Sequence, residues 1–180
     1  MARTLPNRDA CRLSELLSQQ PDWSISQRLE LFRGLVLQVR ELHAEGRTHR
    51  AITPQAVSVD GQLRPRLDCP AGRRRFEGPH WDAQQMPPEL AGIDRLELPE
   101  RIEASAALFT ERGLALDPRR IDIYQLGALF CHLVTGQTMA AYLYDPKIKS
   151  GIPRSARRIL QRVVGEADEE RLQNCDELLV

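Results

Sequence analysis

The stretch "LHAEGRTHRAITPQAVSVDG", Leu42 to Gly61, decides how the rest of the chain is read. Its first residues finish a long helical pattern, and Gly46 supplies the left-handed residue on which such a helix ends. Its last residues read as a strand running into Asp60-Gly61, a strong hairpin signal. Between them lies a loop containing His49 and Arg50, followed by Ala51, Thr53 and Ala56. A loop placed between a helix end and a strand is a common carrier of chemistry. The question is whether this one has any.

Upstream, "WSISQRLELFRGLVLQVRELHAEG" predicts one long helix. Ser24 and Gln27 have capping-box spacing, and Trp23 stands where a hydrophobic staple would. Leu29, Phe32, Leu35, Val36, Val39 and Leu42 recur with helical period on one face. A shorter helix is expected from Arg12 to Leu17, stopped before Pro21. Downstream, strands are expected near Ala56–Val59 and Leu63–Leu67. Next comes irregular, Gly- and Pro-rich chain, "DCPAGRRRFEGPHWDAQQMPPEL".

"PERIEASAALFTERG" reads as an amphipathic helix between Pro99 and Gly113. "IDIYQLGALFCHLVTG" is apolar nearly all round, the mark of a buried central helix, and should end at Gly136. "RSARRILQRVVG" and "DEERLQNCDELLV" are expected to complete a helical C-terminal half. The fold class is therefore mainly α with a small β-hairpin, in a single domain spanning residues 1–180.

Bulk properties narrow the function. Lys plus Arg and Asp plus Glu each number 25, so net charge is zero and nothing pulls the chain toward nucleic acid or an anionic membrane. Lys147 and Lys149 are the only lysines, so nothing before residue 147 supplies a side-chain amine. Cys11, Cys69, Cys131 and Cys175 are scattered, with neither zinc-ligand spacing nor a disulfide framework. The N-terminus has no apolar signal core, and the most apolar run, Leu126–Val134, is too short to span a bilayer. A cytoplasmic protein with reduced thiols is expected. Cys131 and His132 are adjacent on a helix, so their side chains diverge and form no nucleophile–base pair. "GRRRFEGPHW", with Arg73–Arg75, Phe76, His80 and Trp81, is read as a solvated or partner-facing loop rather than a nucleic-acid site.

In order along the chain, these segments resemble the C-terminal lobe of the protein kinase fold. "LHAEGRTHRAITPQAV" is similar to the catalytic loop "LH-x-x-G-x-x-HRDLKPEN", and "LRPRLDCP" to the strand leading into the Asp-Phe-Gly magnesium motif. "MPPEL" is similar to the Ala-Pro-Glu close of the activation segment. "DIYQLGALFCHLVTG" is similar to the buried helix "DVWSLGVVLYELLTG", and the stretch from Arg154 to Leu179 resembles the last helices.

The resemblance implies where chemistry should lie, and most of it is missing. The position of the proton-accepting aspartate holds Ala51, that of the phosphate-neutralising lysine Thr53, and that of the metal-binding asparagine Ala56. Asp68 stands at the magnesium-binding aspartate, followed by Cys69-Pro70, where Pro70 fixes φ. The resemblance further implies that His49 and Arg50 are anchored by Asp122 and that Glu89 pairs with Arg171. Between Asp68 and Glu89 there is no Ser, Thr or Tyr to carry an activating phosphate for Arg50. The 48 residues before His49 contain only Gly34 and Gly46 as glycines and no lysine, so the N-terminal lobe is expected to be absent. Residues 93–116 read as an insertion relative to the family.

The expected protein is a truncated pseudokinase that binds a protein partner or a second copy through the surface an N-terminal lobe would cover. It is expected to need no cofactor or metal, to bind no nucleic acid and to enter no membrane. The alternative is an enzyme: residual ATP and magnesium binding through Asp68, or phosphoryl transfer with an N-lobe supplied in trans. A kinase-gene fragment without function is the third reading.

Overall fold

The computed structural model describes residues 10–19, 22–68, 111, 118–165 and 170–179. The insertion, the Pro99–Gly113 helix (Glu111 apart), the arginine and aromatic loop, Cys69, Pro70 and Glu89 lie outside the described residues.

The capping box at Ser24 starts the long helix. The Ser24 hydroxyl accepts from the Gln27 amide at 3.2 Å, and the Gln27 side chain accepts the Ser24 N–H at 2.9 Å. Helix α2 then runs Ile25–Ala44, behind a short strand β1 (Cys11–Arg12) and helix α1 (Leu13–Ser18). Its inner face buries Leu31, Phe32, Leu35, Val36 and Val39, while Leu29, expected on that face, is exposed. Gly46 ends the helix at φ 69°, and the Arg47 N–H returns to the Leu42 carbonyl at 2.9 Å.

After the loop, a single 3-10 turn (Pro54–Ala56) leads into β2 (Val57–Val59), which pairs with β3 (Pro65–Leu67). The hairpin departs from a two-residue turn on Asp60-Gly61. It spans Asp60 to Arg64, and the left-handed residue is Leu63, at φ 60°. The Asp60 carboxylate holds this wider turn by accepting the N–H groups of Gln62 and Arg64, each at 2.9 Å. Those bonds, that of Arg64 foremost, lower its pKa.

The sheet also has a third strand. Cys11 and Arg12 pair antiparallel with Val59 and Ser58, so α1 starts at Leu13 rather than Arg12. Two residues are too few to show a strand period, and only the exposed edge of β2 creates this one.

Helix α3 (Pro118–Thr135) is the centre of the core. Residues 121 to 131 are all buried, as the lack of a polar face requires, and Gly136 follows the helix at φ 70°. The rings of Phe32 and Phe130 meet at 4.7 Å where α2 crosses it. The remaining chain is more broken than expected. Helices α4 (Met139–Tyr144) and α5 (Pro146–Ser150) precede α6 (Arg154–Val163). Pro146 and Pro153 restrict the residues before them and divide these helices. Beyond them, among the described residues of the expected terminal helix, Cys175–Leu178 form a 3-10 turn capped by Asn174 rather than an α-helix. Leu172, Cys175 and Leu178 are buried.

A methyl group at Gly127 would lie 2.5 Å from Val163, because α6 packs directly on the α3 backbone there. Gly127→Ala should therefore destabilise the protein by about 1–3 kcal/mol through overpacking, despite the better helix propensity of alanine. Urea unfolding measures this; an unchanged or raised midpoint would show that the two helices can separate without loss.

Candidate functional site

The loop after α2 is held from one side by α3. Asp122 is completely buried, and its carboxylate accepts the His49 N–H at 2.8 Å and the Arg50 N–H. One turn along, the buried Gln125 accepts the Ile52 N–H at 2.9 Å and donates to the Arg50 carbonyl at 3.3 Å. The Ala51 N–H is taken by Nδ1 of His49 at 3.2 Å. Four consecutive amides, residues 49 to 52, are thus all satisfied by side chains.

This matters because Arg50 sits at φ 61°. A non-glycine residue in that region costs about 1–2 kcal/mol, so the surroundings must impose the conformation.

His49 connects the loop to the end of the sheet. With Nδ1 accepting from Ala51, its Nε2–H donates to the Asp68 carbonyl at 2.8 Å, which assigns the tautomer. The Asp68 N–H donates to the Ala56 carbonyl at 2.9 Å. Its carboxylate pairs with the Arg12 guanidinium. Arg12, Ser58 and Arg66 are cross-strand partners on one face, and Asp68 follows Arg66 by two residues, so all four belong to that face.

Each remaining predicted position has a local role. Ala51 donates only its amide. Thr53 caps the 3-10 turn, its hydroxyl accepting from Ala56 at 3.3 Å. The Arg50 Nε donates to the Thr48 hydroxyl at 2.7 Å. Arg171 donates to the Gly165 carbonyl at 2.6 Å; its expected partner Glu89 lies outside the described residues.

Three residues at this site, His43, Cys175 and Gln125, are not singled out by the sequence. His43, at the last turn of α2, donates its Nε2–H to Asp122 at 2.9 Å. Its Nδ1 then presents a lone pair to the Cys175 thiol, 3.7 Å away. Cys, His and Asp therefore stand in the order of a nucleophilic relay, but the environment opposes that chemistry. Burial first, then the negative charges of Asp122 and Asp176, push the Cys175 pKa up to about 12. A thiol so held is no nucleophile at neutral pH. No local signal points to this contact, since 132 residues separate the partners. Gln125 was likewise hidden inside an apolar run.

As a cation site the loop is poor. Asp68 already faces a guanidinium, and Ala56 beside it has no donor for a metal. Among the described residues no group of three or more His, Cys, Asp or Glu side chains could hold a metal ion. Among the described residues no helix is long and apolar enough to cross a membrane. The chain matches no model of a known protein family, and no characterised protein matches it.

Two predictions follow from this geometry. Asp122→Ala strands the amides of His49 and Arg50 and should cost about 3 kcal/mol or more, whereas Asp122→Asn keeps one acceptor and should cost roughly half as much. Urea titration of both variants separates them; equal, small losses would show that Asp122 does not hold the loop. Pulsed alkylation at pH 8, read by mass spectrometry, should label exposed Cys11 first and leave buried Cys131 and Cys175 unlabelled until denaturant is added. Early modification of Cys175 would contradict its raised pKa.

Proposed function

We propose that this chain is a kinase-like C-terminal lobe that keeps the catalytic-loop architecture without its phosphoryl-transfer chemistry, and that it acts by binding protein. The observation that carries the reading is the pairing of Asp122 with the amides of His49 and Arg50. This is the anchoring that the resemblance implies for a catalytic loop hung on a buried central helix. The same loop offers no base at Ala51, no cation at Thr53 and no metal ligand at Ala56.

Phosphoryl transfer depends on positioning and charge stabilisation, so the loss of all three groups removes what the loop would supply. The coupling of His49 to Asp68 through the latter's carbonyl supports the same reading. So does the pairing of Asp68 with Arg12, which sets a cation against the carboxylate at the magnesium-binding position. A loop kept in a strained conformation without reactive groups is better suited to presenting a surface than to turnover. Its partner is a protein or a second copy of this chain.

The test is thermal unfolding of the purified chain with and without millimolar ATP and magnesium. No shift is expected, although a ligand at a hundred times its Kd would add about 2.7 kcal/mol and be plainly visible. A rise that disappears in Asp68→Ala would instead favour the nucleotide-binding reading, and labelled phosphate incorporation dependent on Asp68 would establish the enzyme.

A further inference from the structure

The corner formed by α4, α5 and α6 takes no part in the Asp122 network, and its charge is one-sided. From Pro146 to Gly165 there is no Asp or Glu, while Lys147, Lys149, Arg154, Arg157, Arg158 and Arg162 are basic. In a chain of zero net charge this is a strong local imbalance, and it includes both lysines of the protein.

Three of the six cations build the corner. The Lys149 ammonium donates to the Leu143 carbonyl at 3.0 Å and lies 5.6 Å from the Tyr142 ring centre, folding α5 back on α4. Arg157 donates to the carbonyls of Ile152 at 3.2 Å and Ser150 at 3.5 Å, seating α6 against the end of α5. Arg162 pairs with Glu177.

The other three, Lys147, Arg154 and Arg158, are exposed and have no side-chain partner among the described residues. Arg154 and Arg158 stand one helical turn apart on α6 and share a face. The nearest acid before the run, Asp145, caps α5 by accepting the Lys147 N–H at 2.8 Å. Tyr144, the last residue of α4 and three residues before Lys147, is 86% exposed, the most exposed large hydrophobic side chain among the described residues.

We propose that this corner is a docking surface for an acidic segment of a partner protein. Lys147, Arg154 and Arg158 meet its carboxylates, and Tyr144 receives one apolar or aromatic side chain. Charge complementarity selects the acidic segment, and tyrosine and arginine are the residue types that carry most of the energy at protein interfaces. A single-stranded nucleic acid needs a longer basic groove with several stacking rings, and this corner offers one ring. A lipid surface needs an apolar face beside the cations, and Tyr144 stands alone. The inference uses exposure and charge only and does not depend on the kinase-like reading.

Fluorescence anisotropy tests it with three labelled probes: a peptide of alternating Glu and Asp with one central Phe, the same peptide with Ser for Phe, and an oligothymidylate. The first peptide should bind, and more weakly as salt is raised. The triple variant Lys147→Glu/Arg154→Glu/Arg158→Glu should lose affinity about tenfold or more, while Arg33→Glu on α2 should change it little. Tyr144→Ser should weaken binding of the Phe peptide and leave the Ser peptide as it was. All changed side chains are exposed, so unaltered thermal melts will show that the variants fold. The proposal is overturned if the peptides do not bind, if the triple variant binds as well as the parent, if Tyr144→Ser has no effect on the Phe peptide, or if only the oligothymidylate binds.

Discussion

One buried carboxylate organises the described structure. Asp122 is fully excluded from solvent on the central helix, where an unpaired charge would cost several kcal/mol. It is tolerated because three donors converge on it: the amides of His49 and Arg50 and the His43 ring. Each comes from chain distant in sequence, so this one group joins the end of α2, the following loop and α3. The Cys175 thiol on the far side of His43 brings the last 3-10 turn to the same point. The left-handed Arg50 depends on this arrangement too, since nothing local would keep an arginine there.

Much of the framework is legible in the sequence, for reasons that can be named. Ser24 and Gln27 form a reciprocal cap, Gly46 and Gly136 mark helix ends, and the all-apolar run from Ile121 announces a helix with no solvent face. Each is a local signal, complete within a few residues. The failures are equally physical. Strand β1 exists only because β2 offers it an edge. The hairpin widened because the Asp60 side chain captures the amides of Gln62 and Arg64, placing the left-handed residue at Leu63 instead of Gly61. Near the C-terminus, Cys175–Leu178 wind as a 3-10 turn instead of the expected α-helix, with Cys175 and Leu178 turned into the core.

The site divides along the same line. His49, Arg50 and Asp122 could be connected in advance because the resemblance supplied a long-range pairing that no single-sequence pattern contains. His43, Gln125 and Cys175 could not. Two sit inside helical runs where their periodic neighbours explain them as core, and the third lies where a continuous helix was expected. Contacts spanning 75 to 132 residues, such as Gln125 with Arg50 and Cys175 with His43, leave no trace in local spacing.

The positions that hold no chemistry are nevertheless well used. Thr53 caps the turn that launches β2. Ala56 supplies a carbonyl that receives the Asp68 amide, and the Asp68 carboxylate is matched by a cation from the first strand. A catalytic aspartate or lysine at positions 51 and 53 would add charges needing solvent or a substrate to satisfy them. Alanine and threonine leave the loop's backbone amides satisfied from within. A polar network is stable when every member has a partner, and a half-satisfied one is costly. With the amides of residues 49 to 52 all accepted by side chains, the loop is self-sufficient, and a self-sufficient loop can keep its shape with no substrate to complete it.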